Sequence, residues 1–164
     1  MQGTIRPLHH GDFAALITLW HRAWHEAHAE IVPHEILAYR TPDHFSQWLA
    51  EALGEEFFSV AVAGSTVLGF VSTRDDEICR LYVDLRARGS GAAQALLDYG
   101  EDELASAGCT MAKVFCLAGN ARANRFYQGH GWSLRQTAQE PLWLPEGVEG
   151  RFVADTHLYE KKLG

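Results

Sequence analysis

A loop rich in arginine and glycine is the first place in this sequence where chemistry can be located. Residues 86–92 read RARGSGA and follow a β-rich run at 77–83. A helix that begins after this loop offers free backbone N–H groups and a partial positive charge at its N-terminus. Glycines let a phosphate approach those groups closely, and Arg86 and Arg88 can add charge-assisted hydrogen bonds. The loop therefore predicts a phosphate or pyrophosphate site.

Two common phosphate-binding motifs do not match this loop. A Rossmann fingerprint needs G-x-G-x-x-G, and Gln94 stands where the third glycine should be. A Walker A loop needs G-K-[ST], which is absent. The remaining pattern, R-x-x-G-x-G-A, resembles the [QR]-x-x-G-x-[GA] motif of the GNAT superfamily of N-acetyltransferases. In that family the motif follows the fourth strand and holds the pyrophosphate of coenzyme A.

A second motif downstream carries the same resemblance. Residues 120–132 read NARANRFYQGHGW, which is similar to the family pattern N-x-x-A-x-x-F-Y-x-x-x-G-[FW]. The run at 77–83 is similar to the family's fourth strand, and the final residues 158–163 also suit the fold. The resemblance covers nearly the whole chain and is weakest at 31–56 and 136–150.

The resemblance implies acetyl-CoA as co-substrate. The backbone of residues 81–83 would pair with the pantetheine arm, and one of its N–H groups would polarise the thioester carbonyl. The backbone of residues 88–92 and the Arg86 side chain would hold the pyrophosphate, while Asn120 would hydrogen-bond the pantetheine. The implied cofactor-binding residues are Leu81, Tyr82, Val83, Arg86, Arg88, Gly89, Ser90, Gly91, Ala92, Asn120, Asn124, Phe126 and Tyr127.

Two residues, Tyr127 and Glu77, match the needs of acyl transfer to an amine. The amine must be neutral, the oxyanion must be stabilised, and the leaving thiolate accepts a proton. The resemblance implies that Tyr127 protonates the thiolate. Glu77 stands where some family members place a catalytic glutamate, and it is the candidate base, acting directly or through water. The alternatives are a core role for Tyr127, a turn role for Glu77, and an ordered water with no dedicated carboxylate as the base. Cys79 has no visible activating partner for a covalent route.

A row of histidines lies on the first predicted helix. His21, His25 and His28 have i, i+4, i+7 spacing. Three imidazoles can bind Zn²⁺, but no fourth ligand is evident and HEAH at 25–28 is one residue short of H-E-x-x-H, so we predict no metal. In the family the first helices line the acceptor groove, which makes Trp24, His25 and His28 candidate substrate contacts. A polar helix flank is the alternative.

Trp143 lies in a proline-bounded loop that reads PLWLP. A tryptophan in such a loop is not expected to belong purely to the core. We expect Trp143 to cap the acceptor pocket or to form an oligomer contact.

Helices and strands, recognised by their different spacing of apolar residues, must position these side chains. Helices are predicted from Asp12 to about Ile31, from Thr41 to about Leu53, from about Ser90 to Ala107 and over Asn120–Gln128. Strands are predicted at Thr4–Pro7, Phe57–Ala63, Val67–Thr73, Glu77–Val83, Met111–Leu117, Trp132–Arg135 and Arg151–Glu160, with loop over 136–150. The expected class is α/β (α+β), the acyl-CoA N-acyltransferase fold of the GNAT family, with a mixed central sheet of about six to seven strands flanked by helices.

Composition bounds the remaining possibilities. The chain has 164 residues, 47% of them hydrophobic, which predicts one domain over 1–164. Its net charge of -7 makes it a poor nucleic-acid binder, and no apolar run is long enough for a membrane span. The N-terminus has no apolar signal segment, and three cysteines without a C-x-x-C pair fit a reducing cytoplasm. The oligomeric state is open, with a homodimer as one option.

The resulting hypothesis is an N-acetyltransferase that moves an acetyl group from acetyl-CoA to a primary amine of a small molecule or peptide. The amine attacks directly in a ternary complex. The net negative charge suits an acceptor that arrives as a cation. The alternatives are acetylation of a protein N-terminus or lysine, a coenzyme A sensor of the same fold without turnover, and a metal-binding stress protein built on the histidines.

Overall fold

A seven-stranded mixed sheet forms the centre of the protein, in a computed structural model that describes all 164 residues. The strands are β1 (Thr4–Pro7), β2 (Phe57–Ala63), β3 (Thr66–Arg74), β4 (Glu77–Val83), β5 (Met111–Leu117), β6 (Ser133–Pro141) and β7 (Val153–Lys162). Their order across the sheet is β1-β2-β3-β4-β5-β7-β6. Only β4 and β5 are parallel; every other neighbouring pair is antiparallel. The expected mixed sheet of six to seven strands is confirmed.

Four α-helices cover the two faces of the sheet. They are α1 (Phe13–His28), α2 (Pro42–Ala52), α3 (Ala92–Ser106) and α4 (Ala121–Gly129). Short 3-10 turns occupy His10–Asp12, His34–Tyr39 and Leu85–Ala87. Because strand side chains alternate between faces, Val60 joins the core under α1 and α2, whereas its neighbour Ala61 joins the core under α3. No helix combines the length and the apolar character that crossing a bilayer requires.

Several predicted boundaries differ from the structure, among them that of the last strand, which is Val153–Lys162 rather than Arg151–Glu160. The first helix ends at His28 rather than near Ile31, because the chain must turn before Pro33. The third begins at Ala92 rather than Ser90, because the residue before it, Gly91, has a left-handed φ of 86°. Loop was wrongly predicted over 136–141, where β6 continues and pairs with β7. That strand is mostly exposed at the sheet edge, so its polar sequence shows no apolar alternation.

The parallel pair β4 and β5 separates almost at once. Only Glu77 with Lys113 and Ile78 with Val114 are paired. Cys79 has no partner on β3, because Ser72 pairs with Arg80 and Thr73 with Ile78, so β4 carries a bulge at Cys79. A bulge bends its strand and changes its twist. Beyond it, the edge of β4 that faces β5 has no neighbouring strand, and a gap opens in the middle of the sheet.

The direction of the backbone groups along this gap follows from strand alternation. The Asp84 N–H, just after β4, donates to the carbonyl of Leu68 in β3 at 2.8 Å. Successive N–H groups in a strand point to opposite sides. The N–H of Tyr82 therefore points towards β3, and those of Leu81 and Val83 point into the gap.

Candidate active site

Two cavities meet at the gap between β4 and β5. The first has a volume of about 520 Å³ and lies between α1, the end of β4, the glycine loop and α4. The second, about 490 Å³, lies on the side of β5 and of the segment that follows β6. The residues that line both cavities are Leu81, Tyr82, Asn120, Ala123 and Tyr127. A molecule in each cavity would therefore meet its partner at this shared wall.

The first cavity is formed in part by the N-terminus of α3. Gly89 and Gly91 have φ values of 76° and 86°, a backbone conformation that other residues rarely adopt. They line the cavity together with Ala92 and Gln94. The N–H groups of a first helical turn have no partner inside the helix, so this loop presents several of them to an anion. The predicted anion site and the cavity thus coincide.

The arginines of the two motifs do not all face this cavity. Arg88 lines it and forms a 3.1 Å ion pair with Glu26 of α1. Arg122 of α4 also lines it. Partial burial lowers the pKa of Arg122, and the like charge of Arg88 lowers it further. Arg86 is paired with Asp84 at 2.9 Å, and its side chain lines neither cavity. A cofactor contact by the Arg86 side chain stays a prediction.

Ser90 also acts within the loop. Its hydroxyl donates to the Ala87 carbonyl and accepts from the Ala92 N–H at 3.3 Å. These bonds hold the turn that precedes α3. Ser90 is absent from both cavity walls, so its predicted cofactor contact is likewise untested.

The second motif begins at the N-cap of α4. The Asn120 side chain accepts from the Ala123 N–H at 3.2 Å, and Asn120 lines both cavities. Phe126, further along α4, also lines the first cavity, and its ring packs on His130 with ring centroids 4.4 Å apart. Both residues stand where a molecule in the first cavity would contact them.

Asn124 lies behind this wall rather than in it. Its amide nitrogen donates to the carbonyls of Asn120, Leu117 and Ala118 at 2.8, 3.1 and 3.4 Å. Its Oδ1 accepts from the Tyr159 hydroxyl at 2.6 Å. Asn124 is buried and lines neither cavity. The structure therefore gives it the role of fixing the turn between β5 and α4.

Tyr127 stands at the junction of the two cavities. The ring packs in the core beside Trp132 and Tyr159, and only 6% of the residue is exposed. Burial raises the pKa of its phenol, and the nearby Cys116 and Tyr82 raise it further. The phenol thus keeps its proton throughout the neutral range. The predicted core role and the predicted acid role both agree with this position.

The second cavity contains the candidate base. Glu77 lines it, with its carboxylate 3.5 Å from the Arg74 guanidinium, and burial raises the pKa of Glu77. Cys79 lines it too, and burial raises the pKa of its thiol to about 12. Cys79 therefore remains a thiol at neutral pH, whereas a nucleophile needs the thiolate.

Of the three residues of α1 that were predicted to contact the acceptor, only two line the second cavity. Trp24 and His28 line it, and both are buried. Burial and then the charge of Arg40 lower the pKa of His28 to about 4, so this imidazole is neutral. His25 lies outside both cavities, with its Nδ1 2.8 Å from the His21 carbonyl oxygen. No group of three or more potential ligands is placed to hold a metal ion.

Trp143 is part of the wall of the second cavity. It stacks on Trp48 of α2 with centroids 4.8 Å apart and planes at 6°. Its indole N–H donates to Glu51 Oε2 at 2.8 Å. Of the two expected roles, the structure places Trp143 at the cavity, in contact with a distant segment of the chain.

Arg40, Trp48 and Arg80 are among the residues of the second cavity that were not predicted from the sequence. Arg80 makes two 3.0 Å hydrogen bonds to Glu56. An arginine inside the apolar strand EICRLYV was a signal for Arg80, since a buried charge needs a partner. Arg40 and Trp48 lie in 31–56, where the family resemblance is weakest, and no motif marks them.

Comparison with known proteins agrees with this geometry. The profile of the acetyltransferase (GNAT) family matches residues 13–132. The chain therefore belongs to the GNAT acetyltransferase family, and the protein is an acyltransferase. No match was found among curated proteins.

Solved structures share the whole fold. PaiA N-acetyltransferase from Thermoplasma acidophilum, in complex with coenzyme A, is 21% identical with a TM-score of 0.71 over 99% of each chain. Ribosomal-protein-alanine N-acetyltransferase from Brucella melitensis is 20% identical, with a TM-score of 0.70 over 98% of this chain and 99% of that one. YncA from Salmonella typhimurium, with its cofactor acetyl-CoA, is 21% identical, with a TM-score of 0.68 over 100% of this chain and 95% of that one.

Proposed function

We propose that this enzyme transfers the acetyl group of acetyl-CoA to a primary amine of a small molecule or peptide, by direct attack in a ternary complex. The observation that carries the proposal is the meeting of two cavities at one shared wall, in the gap between β4 and β5. One cavity has the features of an anion site. The other holds groups suited to proton transfer. Such an arrangement allows both substrates to be bound at once.

The first cavity fits a coenzyme with a pyrophosphate. The N-terminus of α3 presents N–H groups, and Arg88 and Arg122 add positive charge. The unpaired edge of β4 offers the N–H groups of Leu81 and Val83 to an extended arm. PaiA, which has this fold, was solved in complex with coenzyme A, and YncA was solved with acetyl-CoA. Acetyl-CoA supplies the activated acetyl group.

The protein's own groups then divide the proton transfers. Glu77, directly or through a water, takes the proton that the amine must lose before its nitrogen bonds to the acetyl carbon. The N–H of Leu81 or Val83 polarises the acetyl carbonyl and stabilises the oxyanion. Tyr127 gives its phenolic proton to the thiolate sulfur as the carbon–sulfur bond breaks. The raised pKa of Tyr127 means that the phenol is protonated, and so holds a proton to donate, throughout the neutral range.

The second cavity is the proposed acceptor site. Its volume of about 490 Å³ lies in the range of small-molecule sites. The stacked pair of Trp48 and Trp143 lines it, and a pocket of this size favours a small amine over a side chain on a folded protein. Three free cysteines support a cytoplasmic location, which stays a prediction together with the oligomeric state.

The test is release of free thiol from acetyl-CoA across a panel of amines that includes small amines, amino acids and short peptides. We expect turnover with at least one class, and thermal stabilisation of the protein by acetyl-CoA alone. Gly89→Glu places a negative charge at the anion site and should abolish the stabilisation. Gly108→Glu is the matched control, since Gly108 also has a positive φ and open space around its Cβ position but lies after α3. No stabilisation of the wild type, or equal responses of the two variants, would contradict the coenzyme site.

A further inference from the structure

Arg40 is a buried cation with no anion to balance it. Only 1% of its surface is exposed, and it lines the second cavity. Its Nη1 donates to the adjacent Tyr39 carbonyl at 3.0 Å, while its Nε is buried without any partner. Burial lowers the pKa of Arg40 to about 10, so the guanidinium remains charged at neutral pH. Burying an arginine in this manner is costly unless another group completes its hydrogen bonds.

The other arginines of the cavity are already paired. Arg74 is 3.5 Å from Glu77, and Arg80 makes a two-point contact with Glu56 at 3.0 Å. Arg40 forms no ion pair with a carboxylate of the protein. The nearby Tyr82 phenol does not balance its charge, because burial raises the pKa of Tyr82 and keeps the phenol neutral at neutral pH. Arg40 is thus the one cation of this wall whose charge remains free for a ligand.

Three indole rings hold Arg40 in position. Its guanidinium carbon lies 4.8 Å from the ring centroid of Trp24, 5.0 Å from that of Trp48 and 5.6 Å from that of Trp143. Cation–π contacts occupy the faces of a guanidinium and leave its N–H edge for hydrogen bonds. The rings also exclude water, which strengthens any ion pair made there.

His28 adds a second unsatisfied group beside Arg40. His28 lines the same cavity. The Trp24 carbonyl approaches its Nδ1, but this atom has no partner that meets the geometry of a hydrogen bond. The neutral imidazole can donate or accept one hydrogen bond.

We propose that Arg40 binds a carboxylate on the acceptor, so that the acceptor is a small amino-acid-like molecule that carries both an amine and a carboxylate. The planar guanidinium matches a carboxylate through two parallel hydrogen bonds. The carboxylate is held at Arg40, and the amine is presented to Glu77 on the same cavity wall. This inference rests on the proposed acetyl transfer, and it narrows the acceptor from primary amines in general to zwitterions.

The test compares acids with their amides, which differ in charge but hardly in size. Phenylalanine, leucine and methionine are each assayed against phenylalaninamide, leucinamide and methioninamide by thiol release at saturating acetyl-CoA. Loss of a hydrogen bond to a charged group costs about tenfold to a hundredfold in kcat/KM. For the amino acids that are substrates, we expect kcat/KM to exceed that of the matching amide by this factor. The substitution Arg40→Met should remove the difference.

Two further variants guard against a folding effect. Arg40→Lys keeps the charge but loses the planar fork, and it should retain part of the preference. Arg135→Met removes an exposed arginine from β6 and should leave the acid-to-amide ratio unchanged. Stabilisation by acetyl-CoA in each variant shows that the protein is folded.

A second readout does not depend on turnover. Binding of N-acetylphenylalanine, N-acetylleucine and N-acetylmethionine, each against its amide, is followed by tryptophan fluorescence, because three indoles surround Arg40. Tighter binding of the acids that is lost in Arg40→Met supports the carboxylate site even if no acetyl transfer is found, and only the proposed function then fails. Turnover of amines with equal rates for acids and amides, or no acid preference in either assay, overturns the inference.

Discussion

Replacing Tyr159 by phenylalanine tests how the turn before α4 is held. The Tyr159 hydroxyl is the link between β7 and α4: it donates to Asn124 Oδ1 at 2.6 Å and accepts from Gln128 Nε2 at 3.3 Å. Tyr159 is 1% exposed and Asn124 is also buried. Tyr159→Phe therefore deletes the hydroxyl without changing the ring that fills the core.

The expected loss follows from these contacts. A neutral hydrogen bond contributes about 1 kcal/mol to stability, and leaving a buried acceptor unsatisfied brings the cost to about 1–3 kcal/mol. For a chain of this length, each kcal/mol lowers Tm by about 2–4 °C. Tyr159→Phe should thus lower Tm by about 2–12 °C.

The substitution should also reach the first cavity. Asn124 ties the carbonyls of Leu117 and Asn120 together, and Asn120 lines both cavities. Loosening this turn by about 0.5–1 kcal/mol would raise the Kd for coenzyme A about two- to fivefold.

Urea unfolding and calorimetric titration with coenzyme A measure the two effects. Gln128→Ala is the control, because it removes only the long bond of an exposed side chain and should change stability by less than about 0.5 kcal/mol. Equal unfolding free energies for the two variants would refute the assignment of the network. A destabilised Tyr159→Phe protein with unchanged coenzyme affinity would refute its connection to the cavity.

Three other predictions concern the reaction itself. Tyr127→Phe should lower kcat by about a hundredfold or more with little change in Tm, because no protein group is hydrogen-bonded to the phenol; unchanged thiol release would remove Tyr127 from the mechanism. Burial raises the pKa of Glu77, so wild-type activity should fall with decreasing pH through a value above the usual ~4.3; in Glu77→Gln this acid limb should disappear, and its persistence would assign it to another group. Glu26→Gln frees Arg88 from its ion pair and should tighten coenzyme A binding about two- to fivefold by calorimetry; weaker binding would show that Glu26 positions Arg88.

The parts of the site that the sequence reveals are the local ones. The glycine loop and the start of α4 depend on residues close together in the chain, where φ angles and caps determine the shape. Gly89, Gly91 and Asn120 were therefore predictable as wall residues. Spacing alone could not separate Asn124 from Asn120, because only the pairing with Tyr159 shows that Asn124 is turned inward.

The parts that the sequence hides are made by contacts between distant segments. Arg40 owes its role to Trp24, Trp48 and Trp143, which come from α1, α2 and the segment after β6. The strand over 136–141 is hidden for a related reason: β7 holds it through backbone bonds at an exposed edge, and no apolar pattern is needed there.

The stack of Trp48 on Trp143 has a consequence for how this enzyme can change. Neither residue belongs to a motif that forms the first cavity, yet both line the second. Substitutions in these two segments can therefore reshape the second cavity, the proposed acceptor site, while the glycine loop and α4 stay as they are. On the proposed function, a library restricted to the helix α2 and the segment after β6 should yield new acceptor preferences with unchanged binding of coenzyme A.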